Sequence, residues 1–199
     1  MDQLIRAVTV AETPSQLVTA VKNLAAATDP SAIPSLIAVF GYNNPEAAMV
    51  AAAALKQWGE TAVPQLLNQI DDYNYGARAY SIRTLAAIAD PRALDILIST
   101  TIADFAPSVR RAAARGLGKI HWHKLDPTEA PIAINRALET LILICQDTDW
   151  SIRYAAVVGL QALAQEDLVR LPILAQLQLM LTKDTEKAVR ARAQLALNQ

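Results

Sequence analysis

Few side chains in this chain are equipped for chemistry. His121 and His123 stand one residue apart in the stretch His121-Trp122-His123-Lys124-Leu125-Asp126-Pro127-Thr128-Glu129-Ala130-Pro131. Two imidazoles in a loop could share a metal, but metal sites take more protein ligands than two, and no carboxylate pair lies beside them. One imidazole could instead donate or accept a proton near neutral pH. A buried or capping histidine fits the same position. The only cysteine, Cys145, excludes an internal disulfide and a cysteine-rich zinc site. It aligns with Phe40, Ile70, Thr101 and Leu181 in a mostly apolar column, so it is expected in the core rather than as a nucleophile. No glycine-rich phosphate loop and no Gly-x-Ser-x-Gly elbow is present.

The scarce aromatics are more informative. Tyr73, Tyr75 and Tyr80 flank Gly76 and Arg78, and Trp150 and Tyr154 flank Arg153. Rings to stack on and guanidinium forks for carboxylates suit a flat, conjugated, anionic ligand. Asp104 or Asp149 could meet its N–H groups. Trp, Tyr and Arg are equally the favoured anchors of protein interfaces, and spacing does not separate the two readings.

The elements that must position these residues are repeats. An Asp is followed five residues later by a small or β-branched apolar residue, then by Arg, then by Ala and Leu at helical spacing. The pattern runs Asp72, Ala77, Arg78, Leu85; Asp104, Val109, Arg110, Leu117; Asp147, Ile152, Arg153, Leu160; and Asp184, Val189, Arg190, Leu197. In this register Tyr75 coincides with Trp150, and Arg111 with Tyr154. Upstream of each Asp lies a second apolar stripe, such as Leu94, Leu97, Ile98, then Leu138, Leu141, Ile142, then Leu174, Leu177, Leu181. Each repeat therefore reads as helix A, a tight turn and helix B. Pro34 and Pro64 fall where the first turn of a helix A tolerates proline. The Asp and Arg columns are expected to bond between adjacent repeats.

Composition agrees. Hydrophobic residues make up 53% of the 199 residues and aromatics 5%, with 38 alanines and six glycines. Such a chain favours helices and excludes a turn-rich β-sandwich. Charged residues at 19% leave ample apolar surface for a core, which excludes disorder. A net charge of −1 weighs against nucleic acid, and no apolar run is long enough to span a membrane. The N-terminus lacks the apolar core of a secretory signal.

The reading is an all-α, HEAT-like helical repeat solenoid (an alpha-alpha superhelix) of about five helix pairs. Residues 1–28 form an N-terminal cap or half-repeat. Repeats span 29–59, 60–89, 90–120, 131–164 and 171–199, and 121–130 is an inserted loop. The first repeat departs from the pattern, with Tyr42 in place of the Asp and Ala48 in place of the Arg.

Three stretches carry a resemblance more specific than the repeat. They are Tyr73-Asn74-Tyr75-Gly76-Ala77-Arg78-Ala79, Asp90-Pro91-Arg92-Ala93-Leu94-Asp95, and Asp104-Phe105-Ala106-Pro107-Ser108-Val109-Arg110-Arg111-Ala112-Ala113-Ala114-Arg115-Gly116-Leu117-Gly118. The chain resembles the E/F-type bilin lyases of phycobilisomes over most of residues 30 to 165, and among them the smaller F-type subunits. The resemblance implies a heterodimer with an E-type subunit that attaches phycocyanobilin, an open-chain tetrapyrrole, to a cysteine of the phycocyanin α subunit. The acceptor thiol adds to the bilin's ethylidene group to form a thioether. Phycocyanobilin is then the transferred substrate, and no resident cofactor or metal is implied. The setting would be the cytoplasm of a cyanobacterium.

On this resemblance the candidate catalytic groups are His121, Asp104 and Asp149. The candidate bilin-binding residues are Tyr75, Arg78, Arg110, Arg111, Trp150, Arg153 and Tyr154. A related lyase-isomerase carries Asn-His-Cys in its F-type subunit. The comparable place here keeps a histidine and lacks the cysteine, which implies ligation without isomerisation. Two other classes stay open: a non-catalytic scaffold or chaperone for phycobiliproteins, and a HEAT-like DNA glycosylase.

Overall fold

The computed structural model describes residues 1–70 and 74–198, so the expectations for Asp72 and Tyr73 lie outside the described residues. The described residues are helical and contain no strand. The chain divides into two compact units, Met1–Ile88 and Ala89–Gln199.

The first unit holds α1 (Asp2–Thr9), α2 (Pro14–Ala26), α3 (Ile33–Ala38), α4 (Pro45–Trp58), α5 (Val63–Asn68) and α6 (Tyr75–Ile88). Helix starts are written locally. Thr13 and Gln16 form a reciprocal capping box on α2, and the Asn44 side chain accepts the Ala47 N–H at 3.1 Å ahead of Pro45. Pro34 and Pro64 sit in the first turns of α3 and α5. The second helices of each repeat pack on one another, α2 on α4 and α4 on α6, with α3 and α5 against them.

The second unit holds α7 (Leu94–Ala103), α8 (Pro107–Leu117), α9 (Ala130–Ile144), α10 (Trp150–Leu163), α11 (Asp167–Lys183) and α12 (Lys187–Leu197). It has two layers: α7, α9 and α11 in one, α8, α10 and α12 in the other. Leu97, Leu117, Leu141 and Leu160 are fully buried between them. Alanine lets the helices of the second layer approach closely. A Cβ on Gly118 would stand 2.1 Å from the Gly159 carbonyl oxygen, and one on Gly159 would stand 2.5 Å from that of Ala114. The α8 and α10 backbones are therefore in direct contact.

Two local expectations need correction. In α11 the buried residues are Val169, Ile173, Leu177 and Met180, whereas Leu174 is exposed. Leucines occur all around this helix, with Leu168, Leu171 and Leu179 also exposed, so two apolar stripes fitted its period. In α6, Ala77 is only half-buried and Arg78 is buried instead. Alanine at this column is too small to reach the core as Val109, Ile152 and Val189 do.

The stretch after α8 is compact. His121 donates its backbone N–H to the Ala89 carbonyl at 2.9 Å, and Trp122 is buried within a short 3-10 turn, Trp122–Lys124. No helix among the described residues is long and apolar enough to cross a membrane.

Candidate functional site

The Asp column works as a loop clasp. Asp104, Asp147 and Asp184 each use one carboxylate oxygen to accept the backbone N–H two residues on, from Ala106, Asp149 and Glu186, all at 2.8 Å. Asp147 and Asp184 also reach between repeats. Arg110 Nη2 donates to Asp147 at 2.6 Å, and Arg153 donates in a bidentate pair to Asp184 at 2.8 and 2.9 Å. Arg110 Nε also donates to the Thr101 carbonyl, and Arg153 Nη1 to that of Asp147. The expected inter-repeat bonds are thus present. The Arg153 guanidinium holds the Asp184 carboxyl below the usual carboxylate range, and Asp184 in turn raises the Arg153 pKa. Nε and both terminal nitrogens of Arg153 are engaged, so this fork does not face outward as a free carboxylate receptor.

The neighbouring residue, Arg111, points elsewhere. Its Nη1 donates to the Ser151 hydroxyl at 2.8 Å, and that hydroxyl donates to Asp149 at 2.7 Å. Asp149 caps α10 and also accepts the Ser151 N–H at 2.8 Å. The Ser151 hydroxyl, the Ser151 N–H and the positive charges of Arg111 and Arg110 hold the Asp149 carboxyl below its ordinary range. It stays ionised near neutral pH and serves as an acceptor for N–H groups, not as a proton donor. Trp150, beside it, is 47% exposed, and Tyr154 lies one turn further along, half-buried. Arg111, Asp149, Trp150 and Tyr154 therefore cluster at the start of α10. Ser151, which joins the first two, was not singled out from sequence. Its place two residues after a helix-capping Asp is the signal that could have found it.

The remaining candidates are dispersed. Asp104 is half-buried at the end of α7. His121 bonds neither Asp104 nor Asp149. Its buried Nδ1 has no hydrogen-bond partner among the described residues, and its ring lies 5.6 Å from that of His123. No group of three or more potential metal ligands occurs among the described residues. In the first unit, Tyr75 opens α6 and is 44% exposed, and Arg78 is buried one turn later. Tyr80 stacks on Phe40 with centroids 5.4 Å apart. Cys145 is buried, and its thiol donates to the Leu141 carbonyl at 3.2 Å. Burial, reinforced by the charge of Asp184, pushes that thiol up to about 12, so it is protonated and inert at neutral pH.

The paired layers and the Asp–Arg ladder define a helical-repeat protein of the HEAT class, and residues 63–136 and 101–198 match the model of the family described as HEAT repeats. The relatives are more specific. The "Phycocyanobilin lyase subunit beta" of Nostoc sp. (strain PCC 7120) is 64% identical over 198 residues, covering 100% of this chain and 99% of the relative. The "Phycocyanin alpha phycocyanobilin lyase CpcF" of Synechocystis sp. (strain PCC 6803) is 46% identical, covering 83% of this chain and 78% of the relative. A chain in the structure of the complex of CpcE and CpcF of phycocyanin lyase from Nostoc sp. PCC7120 superposes with a TM-score of 0.81 at 67% identity, covering 84% of this chain and 99% of that one. The chain belongs to the family of phycocyanobilin lyase beta subunits. These relatives are cyanobacterial.

Proposed function

We propose that this chain is one half of a heterodimeric bilin lyase that attaches phycocyanobilin to a cysteine of the phycocyanin α subunit in phycobilisome biogenesis. The observation that carries the reading is full-length identity of 64% to a phycocyanobilin lyase beta subunit. The E-type partner follows from the CpcE–CpcF complex, and the α-subunit acceptor from the Synechocystis relative's name. The proposed setting is the cytoplasm.

In the reaction the acceptor S–H adds across the exocyclic double bond of the bilin. The sulfur bonds to carbon, and a proton is delivered to the conjugated system. The reactive thiol belongs to the acceptor, in keeping with the buried, protonated Cys145. This chain's part is to bind, orient and exclude water. Trp150 and Tyr154 offer stacking surfaces, Arg111 a hydrogen-bond donor for a lactam carbonyl oxygen, and the ionised Asp149 an acceptor for pyrrole N–H groups. Tyr75 and Arg78 would serve in the first unit. Arg110 and Arg153 would act through the ladder that sets α8 and α10, and Asp104 through its loop. His121, with an unpartnered Nδ1, is the proposed proton relay. Phycocyanobilin enters as substrate, without a resident cofactor.

Co-expression of this chain with an E-type subunit, phycocyanin α and phycocyanobilin tests the reading. Covalently coloured α subunit is expected only when both lyase subunits are present. Equal colouring without this chain would overturn it.

A further inference from the structure

The first unit carries a groove that the aromatic and arginine columns did not include. Between α4 and α6 lies a cavity of about 380 Å³, and two matched stripes line it. Met49, Ala52, Ala53 and Lys56 follow one another at i, i+3, i+4 and i+7 along α4. Tyr80 and Arg83 begin the same spacing on α6. Within the run Ala51 to Ala54, Ala51 and Ala54 are buried and serve the packing, whereas Ala52 and Ala53 face the cavity. Nothing in the core requires these two to be small; their effect is to keep the slot open. Met49 is 66% exposed at its edge.

The charges are one-sided. Lys56 and Arg83 are exposed, no acidic side chain lines the cavity, and neither cation has a hydrogen-bond or ion-pair partner among the described residues. This is the opposite of Arg110 and Arg153, which are held by carboxylates. An open slot with an alanine floor, a ring, a thioether and two free cations matches a flat conjugated dianion.

We propose that this groove binds the propionate-bearing middle of the open-chain tetrapyrrole, with Lys56 and Arg83 each taking one carboxylate and Tyr80 and Met49 meeting the conjugated face. The inference rests on the bilin-lyase reading and adds the residues that grip the pigment. The cavity is at the small end of the roughly 300–1,000 Å³ of ligand pockets. It therefore holds part of the pigment and leaves the terminal, ethylidene-bearing ring outside, open to the acceptor thiol.

The test uses the complex with the E-type subunit, titrated with phycocyanobilin and with its dimethyl ester, which carries no carboxylate charge. Binding is read from the change in visible absorbance. The wild-type complex should prefer the diacid about ten-fold or more, the scale of hydrogen bonds to charged groups. Lys56→Gln with Arg83→Gln should abolish that preference by weakening the diacid alone. Ala53→Trp, which fills the slot at an exposed position, should weaken diacid and ester alike. Circular dichroism of each variant reports folding. If the wild-type complex colours phycocyanin α and the double variant keeps the diacid preference, the groove assignment is overturned while the lyase reading stands. If the wild-type complex neither binds the pigment nor colours the acceptor, both fall.

Discussion

The two units use one fold but spend their cations differently. In Ala89–Gln199 the column arginines are struts: Arg110 spans to Asp147 and Arg153 to Asp184, with partners' side chains only 14% and 5% exposed. In Met1–Ile88 the first repeat lacks both residues of the column, with Tyr42 and Ala48 in their places, and Asn44 supplies the helix cap. Two of this unit's exposed cations, Lys56 and Arg83, are tied to nothing among the described residues, whereas Lys22 pairs with Glu46 at 3.6 Å. A cation held by a buried carboxylate adds rigidity and loses its value as a receptor. A cation left in solvent adds little stability and remains able to recognise an anion.

Cores should not distinguish the units. Leu117 and Leu85 are both fully buried, so Leu117→Ala and Leu85→Ala should each cost about 2–5 kcal/mol in urea denaturation. A large difference between them would break the premise of a shared fold. Glycine replacement should separate the units. Gly118→Ala drives a Cβ into backbone and should cost about 3 kcal/mol. Gly76→Ala, whose Cβ would make ordinary contacts with the Asn74 side chain at 3.5 Å and the Phe40 carbonyl oxygen at 4.0 Å, should stay within about 0.5 kcal/mol.

The cations themselves come next. Arg153→Gln should lower stability by about 2 kcal/mol at pH 7, and Arg83→Gln should leave it within about 0.5 kcal/mol. The first effect carries a pH signature. Asp184 has a folded pKa below its unfolded value of about 3.9. The pair's contribution is therefore complete above that value and is lost as the pH falls through the folded pKa. Urea midpoints of wild type and Arg153→Gln should differ at pH 7 and converge as the pH falls below the folded pKa of Asp184. The smallest effect belongs to Cys145→Ala, which should leave colouring of phycocyanin α unchanged. The wild-type thiol should resist alkylation at pH 8 until the chain is unfolded.

Much of this was legible in the chain because a repeat states its register several times over. The Asp-to-Arg spacing located the start of each second helix in the second unit, and it anticipated the ladder. Where a column residue changed size, as at Ala77, or where leucine covered every face, as in α11, periodicity had no unique solution. The site was harder to read. A column marks every arginine alike, and only packing distinguishes Arg153, closed by Asp184, from Arg111, linked through Ser151 to Asp149. Lys56 and Arg83 escaped notice because they stand outside the repeating column. Their significance depends on α4 lying beside α6.

The meeting of Gly118 with Gly159 has a mechanical consequence. Most helix pairs are separated by a cushion of side chains that can shear or compress when the repeats flex. Here backbone rests on backbone, so α8 and α10 cannot be pushed closer at that point. The contact works as a fulcrum. Any bending of the second unit must turn about it, spreading one layer of helices as the other closes.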